Sequence, residues 1–164
     1  MRSVILGTGH YVPDRVVTNH ELVKLMNTTD EWIRQRTGIV ERRYSEDGVG
    51  PADLALEAAK RALEAARLDA REIDCILFAT LNSDYYFPGS GVLLQRSLGL
   101  SEIPAFDVRN QCSGFLYSLQ IADAFIRQGI YKKILIAGAE VHRTPIELND
   151  RGRDVAVLFG DGGG

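Results

Sequence analysis

Short, largely apolar runs alternate along this chain with longer segments in which apolar residues recur every three or four positions. Ser3–Leu6, Cys75–Ala79, Ala105–Val108 and Lys133–Gly138 are the short runs. Ser3–Leu6, Cys75–Ala79 and Lys133–Gly138 predict buried strands, and Ala105–Val108, which carries Asp107, predicts a further strand. Pro51–Arg67 has helical spacing, with Pro51 suited to the first helical position and Glu57/Arg61 and Lys60/Glu64 placed as i,i+4 pairs. Ser90–Leu98 predicts a second helix closed by Gly99, and Phe115–Arg127 a third closed by Gly129. Such alternation predicts an α/β fold with a largely parallel sheet covered by helices. Residues 14–48 interrupt it. They are polar and irregular, with a helix start at Thr18-Asn19-His20-Glu21, where Thr18 or Asn19 offers the cap, and another at Thr28-Thr29-Asp30-Glu31-Trp32-Ile33, with acidic residues in the first turn. Near the end, the apolar run Val155–Phe159 leads into Gly160-Asp161-Gly162-Gly163-Gly164.

Composition narrows the function classes. The chain has 164 residues, 45% of them hydrophobic and 25% charged, with a net charge of −3. No global basic field is available to recruit nucleic acid or an anionic membrane. No apolar stretch approaches the roughly 18 residues of a membrane span, and the apolar part of the N-terminus is too short for a signal peptide. Two cysteines in unlike settings predict free thiols and a reducing cytoplasm. Three scattered histidines and no CxxC pair leave no metal site to expect. Gly7-Thr8-Gly9 after the first strand invites a dinucleotide reading, but Val12 holds the third glycine position and Pro13 follows where a helix should run, so the fingerprint fails.

Two places carry candidate chemistry. Cys112, in Asn110-Gln111-Cys112-Ser113-Gly114-Phe115, falls at a strand-to-helix junction, in the expected first turn of a helix. Backbone N–H groups there carry partial positive charge, which favours a thiolate and can stabilise an oxyanion formed during acyl transfer. Cys75, within an apolar run, reads instead as inert packing. The second place is Trp32, with Arg34, Arg36, Arg42 and Arg43 clustered around it in sequence. It reads equally as a solvated basic face with one aromatic anchor or as a site for an anionic ligand with a ring to stack. His142 with Glu140 or Asp150 offers Cys112 a rival, hydrolase-like arrangement that nothing in the spacing forces. His10 and His20 have weaker claims.

Taken in order, Gly7-Thr8-Gly9…Pro13, Thr29-Asp30-Glu31-Trp32-Ile33 with Arg36-Thr37-Gly38-Ile39, Phe87-Pro88, Cys112-Ser113-Gly114-Phe115 and Gly160-Asp161-Gly162 resemble the β-ketoacyl-acyl carrier protein synthase III family, the initiating condensing enzymes of fatty acid synthesis. The resemblance implies the N-terminal half of a thiolase-type fold, a mostly parallel mixed sheet covered by helices, over residues 1–164, with 14–48 as an excursion serving a coenzyme A (CoA) site. It implies an acyltransferase in which Cys112 takes an acyl group from acyl-CoA, acetyl-CoA being the expected primer, and malonyl-acyl carrier protein then condenses with it after losing CO₂. Thr28, Trp32, Arg36 and Arg151 match CoA-binding positions, Trp32 and Arg151 being the pair that sandwiches the adenine. Phe87 matches a residue reaching into the acyl pocket of the partner in a homodimer. No cofactor beyond the acyl-CoA substrate, and no metal, is implied. The family's histidine and asparagine, which stabilise the enolate, belong to a second half absent from this chain. Gly163 replaces an alanine of the family's loop. Asn110-Gln111 and Tyr85-Tyr86 depart from the acetyl-specific pattern and leave the primer length open. Two other readings stand beside this one: a non-catalytic half that acts only as a dimerisation module, and a relative on the same fold that condenses other acyl-CoAs.

Overall fold

A computed structural model describes residues 2–164. The chain runs β1 (Val16–Thr18), α1 (Asn19–Leu22), α2 (Asp30–Thr37), β2 (Glu41–Arg43), α3 (Pro51–Ala66), β3 (Cys75–Ala79) and α4 (Ser90–Ser97). It continues with β4 (Ala105–Val108), α5 (Gly114–Arg127), β5 (Ile134–Glu140), α6 (Arg153–Ala156) and β6 (Gly162–Gly163). It divides into two compact units. One holds the chain up to Tyr11, Gly50–Glu140 and Gly162–Gly164; the other holds Val12–Val49 and Val141–Asp161.

The first unit is a four-stranded sheet in the order β4-β3-β5-β6, with β3 parallel to both β4 and β5 and only β6 antiparallel. Every residue of β3 is buried, as its unbroken apolar sequence requires of a central strand. Cys75 and Leu77 face α5, packing with Ala122, Phe125, Ile134 and Ile136. The strand's two-residue period sends Ile76 and Phe78 to the opposite face, where Gly91 of α4 lies against Phe78. The sheet and its helical cover thus take the predicted α/β form. The three predicted helices appear with their punctuation: Pro51 opens α3, and Gly99 and Gly129 take left-handed backbone after α4 and α5.

Two expectations for this unit are corrected. Ser3–Leu6 is not a buried strand: Val4 is 73% exposed and Ile5 76%. A strand needs a neighbour along its length, and β6 offers one only at Tyr11, whose N–H and C=O both pair with Gly163 at 2.8 Å. The residues around Gly7 and Gly9 lie instead against α3, where a side chain at either glycine would collide with α3 backbone at Ala58, Ala62 and Ala66. The Gly-x-Gly pattern therefore serves close packing on a helix rather than phosphate binding. The predicted Glu57/Arg61 pair does not form either. Glu57 pairs with Lys60 at 2.6 Å, while Arg61 donates to the His10 carbonyl at 2.7 Å and covers the Tyr11 ring. A cavity of about 530 Å³ lies between residues 3–9, α3, α5 and β5; its lining is mostly apolar and does not include Cys112.

The second unit packs α1, α2 and α6 with the antiparallel β1–β2 ribbon around Val17, Leu22, Met26, Ile33, Tyr44, Ala156 and Val157. Of the two caps expected for α1, Thr18 is the one used, and Thr29 caps α2, accepting from the Trp32 N–H at 3.0 Å. Buried polar groups carry much of this unit. The Arg42 guanidinium donates to Asn19 Oδ1 at 2.8 Å and to the Val17 carbonyl at 3.3 Å, and Asn19 Nδ2 donates to Asp30 and to the Ile39 carbonyl, each at 2.8 Å. The buried Asp161 carboxylate accepts from the N–H groups of Ser45 and His142, each at 2.7 Å, and of Arg143 at 3.1 Å. The expected cluster of four arginines around Trp32 is thus broken up. Arg42 is a core group, Arg43 pairs with Glu41, and Arg34 pairs with Asp30. The burial of Arg42 within β2 follows from strand alternation, which the local density of arginines concealed.

Candidate functional site

Cys112 is presented by a tight connection between β4 and α5. After Val108 the chain reaches Gln111, a non-glycine residue with left-handed backbone at φ 44°, and a single 3₁₀ turn, Gln111–Ser113, leads into the helix. Such a conformation costs a side-chain-bearing residue about 1–2 kcal/mol, a strain that concentrates at functional turns. Ser113 fixes the turn: its N–H and its hydroxyl both donate to the Asn110 carbonyl, at 3.2 and 3.1 Å. Cys112 therefore lies in the 3₁₀ turn, two residues before Gly114, the first residue of α5, rather than within the first turn of that helix. Gly114 lets the helix start close to the sheet, because a Cβ there would meet Ala79 Cβ at 3.3 Å and the Val108 carbonyl at 3.4 Å. The result is an exposed thiol on a strained support. Cys75 is the opposite, fully buried, with burial pushing its thiol up to about 11.

Phe87 lies in the connection between β3 and α4 and is 87% exposed; Tyr86 beside it is completely exposed. The base of this loop is fixed by two carboxylates: Glu140, which the sequence offered only as an orienter for His142, and Asp84, which it did not single out. Glu140 accepts from the N–H groups of Leu81 and Asn82, at 2.5 and 3.2 Å, and Asp84 accepts from the Ala52 N–H at the start of α3 at 3.2 Å. An acid at a strand end followed by backbone-rich turns is the signal that could have found them, through the demand for partners of loop N–H groups.

Trp32 and Arg36 come together in the second unit, which also holds Thr28. The Arg36 guanidinium lies 5.0 Å from the Trp32 ring centroid, and that of Arg153 lies 5.1 Å away. Arg151, expected opposite Trp32, points elsewhere: it reaches Glu147 at 3.5 Å, and its side chain is 86% exposed. The pattern Arg151-Gly152-Arg153 offered two guanidiniums two residues apart, and the chain turns through α6 so that the second reaches the indole. The Thr28 hydroxyl oxygen is buried and has no hydrogen-bond partner among the described residues.

The groups offered for the rival arrangement have other partners within their own units. The His142 ring stacks on Phe159 with centroids 4.5 Å apart, Glu140 serves the loop after β3, and Asp150 accepts from the Asn27 N–H. His10 contributes its carbonyl to Arg61, and His20 is exposed on α1. Among the described residues, no three His, Cys, Asp or Glu side chains lie close enough to hold a metal ion, and no helix is long and apolar enough to cross a membrane.

These features can be set against known proteins. Residues 106–164, from β4 through Cys112 to the last glycine, match the family model for 3-oxoacyl-[acyl-carrier-protein] synthase III. The chain is 49% identical over 163 residues to a β-ketoacyl-[acyl-carrier-protein] synthase III of Hyphomonas neptunium, covering 99% of this chain and 50% of that protein. Its fold superposes on the crystal structure of 3-oxoacyl-[acyl-carrier-protein] synthase III from Aquifex aeolicus with a TM-score of 0.92 and 44% identity, covering 97% of this chain and 51% of the other. It also superposes on the priming β-ketosynthase of the R1128 polyketide pathway with a TM-score of 0.91 and 34% identity, covering 97% and 47%. The chain spans about half the length of these relatives. From the identity carried along nearly all of its length, and the thiolase-type architecture it shares with the solved structures, the chain belongs to the β-ketoacyl-acyl carrier protein synthase III family.

Proposed function

We propose that this chain supplies the nucleophile and a CoA-binding platform to a condensing acyltransferase that starts fatty acid or polyketide chains. The observation that carries the reading is the exposed Cys112 thiol on its strained strand-to-helix turn. The Cys112 thiolate attacks the carbonyl carbon of an acyl-CoA thioester, acetyl-CoA being the primary candidate. The tetrahedral oxyanion collapses, the CoA thiolate leaves and takes up a proton, and an acyl-Cys112 thioester remains. Malonyl-acyl carrier protein then loses CO₂. The electron pair released from that bond forms an enolate whose carbon attacks acyl-Cys112. The product is a β-ketoacyl-carrier protein, and the Cys112 thiolate is regenerated.

Binding and assembly roles follow the same reading. Trp32 stacks on the adenine of CoA, Thr28 offers its unpartnered hydroxyl, and Arg36 faces the phosphates, with Arg151 a further cation in the same unit. The acyl carrier protein is the second macromolecular partner. The bare aromatic tip at Tyr86 and Phe87 favours a homodimer in which Phe87 enters the partner's acyl pocket, since aromatic residues left this exposed are characteristic of interfaces. The enzyme works in the cytoplasm, and no cofactor other than its substrates takes part.

The test is a condensation assay with acetyl-CoA and malonyl-carrier protein on the longest natural protein that contains this chain, beside its Cys112→Ala and Trp32→Ala variants. Loss of product with Cys112→Ala, together with a raised KM for acetyl-CoA with Trp32→Ala, is the expected result. Undiminished condensation by Cys112→Ala would overturn the reading.

A further inference from the structure

We propose that Asp84 is a positioning residue that sets where Phe87 projects, and with it the length of acyl group the enzyme accepts. The assignment rests on the reading of Phe87 as part of the partner's acyl pocket. The connection from β3 to α4 has no apolar anchor of its own. Residues 81–84 are half-buried, and residues 85–88 are exposed. A segment without buried side chains takes its position from its hydrogen bonds.

Those bonds hold the two ends of the connection and one point between. Glu140 accepts from the Leu81 and Asn82 N–H groups at its start, and Asp107 accepts from the Gly91 N–H of α4, just past its end, at 2.7 Å. Asp84 is the point between, three residues before Phe87. Its partner is the start of α3. Gly50 precedes that helix and has no side chain to cap it. The N–H of Ala52, the second residue of α3, instead donates to Asp84, whose two oxygens lie 3.2 and 3.4 Å away. The helix dipole favours a carboxylate there, in addition to the hydrogen bond. The Asp84 N–H in turn donates at 3.1 Å to the hydroxyl of Ser90, the fully buried first residue of α4. Asp84 thus ties the stem of the aromatic tip to the starts of two helices. Gly50 makes room for it, because a Cβ at that position would lie 1.8 Å from Asp84 Oδ1. Phe87 takes up volume in the pocket it enters, so a shift of the tip changes the depth left for the acyl chain. An apolar pocket discriminates about 10- to 200-fold per methylene, so a small shift is enough to alter selectivity.

The experiment measures kcat/KM for hexanoyl-CoA and for acetyl-CoA in the longest natural protein that contains this chain, and compares their ratio among variants. Asp84→Ala is expected to raise the hexanoyl-to-acetyl ratio about 5-fold, below what one methylene commands in an apolar pocket. Asp84→Asn keeps an acceptor oxygen for the Ala52 N–H and is expected to stay within about 2-fold of wild type. Gly50→Ala removes no group but displaces the carboxylate, and is expected to raise the ratio as Asp84→Ala does; it decides the matter if Asp84→Ala does not fold. In a Phe87→Ala background, Asp84→Ala is expected to move the ratio no further, because a tether that acts through the ring has nothing left to position. An equal loss with both acyl-CoAs at an unchanged ratio overturns the assignment, and so does a full further shift in the Phe87→Ala background. If Phe87→Ala itself leaves the ratio unchanged, the acyl-pocket reading of Phe87 falls, and this assignment falls with it.

Discussion

The two compact units of this chain are built by different forces, and the difference separates what each does for function. The unit that carries Cys112 is organised by apolar burial: β3 is buried along its whole length, with α5 packed on one face and α4 on the other. The unit that carries Trp32 is organised by buried hydrogen bonds, through Arg42, Asn19 and Asp161. A close-packed sheet holds a nucleophile within a narrow range of positions, because interiors of this density do not deform continuously. A polar network specifies one arrangement of turns and places cations on its surface, at the risk that one broken link strands several partners.

Removing the Asp161 carboxylate puts the largest strain on this contrast. Asp161→Ala leaves three buried or half-buried N–H groups without their acceptor, and unfolding by urea should show a loss of about 4 kcal/mol. The damage should centre on the second unit: limited proteolysis should open residues 12–49 first, while alkylation of Cys112 is retained. Asp161→Asn, which keeps one acceptor oxygen, should lose less. A loss below about 1 kcal/mol for the alanine variant would mean that the polar network does not hold the unit.

A smaller effect probes the apolar unit through pH. Burial raises the Cys75 thiol from 9.0 to about 11. The folded protein therefore keeps this proton at a pH where the unfolded chain has already released it. The contribution is complete below about 9 and is lost as pH rises toward about 11. Two pH units correspond to about 2–3 kcal/mol. The stability difference between wild type and Cys75→Ala should shrink by that amount between pH 8 and pH 11, measured by urea unfolding in each buffer. A constant difference would show that Cys75 titrates as if exposed.

The same contrast explains what could be read from the sequence. Apolar burial writes itself as apolar runs and helical periods, so β3, β5 and the helices α3, α4 and α5 were legible, as were the starts of α1 and α2; β4 was legible as a strand, although Asp107 interrupts it and Phe106 is 43% exposed. Ser3–Leu6 has the composition of a buried strand but lacks a neighbour along its length, and composition does not report the neighbour. The polar unit was legible only as ingredients. Arg42 and Arg36 look alike in sequence, yet alternation in β2 buries the first while the second reaches the indole. Arg151 and Arg153 are separated by one glycine, and only the path of the chain through α6 decides which guanidinium arrives. At Cys112 the residue type and the junction were legible, whereas the left-handed Gln111 was not, because strain of that kind is imposed by the packing around it rather than favoured by the residue.

The central claim is that Cys112 is the acyl acceptor, and an intact mass spectrum tests it most directly. The protein is incubated with acetyl-CoA and, separately, with longer acyl-CoAs, beside Cys112→Ala and Cys75→Ala. The account predicts a single acyl adduct that survives in Cys75→Ala and vanishes in Cys112→Ala. An adduct that persists in Cys112→Ala, or the absence of any adduct across the acyl-CoA series in protein shown to be folded, would contradict it.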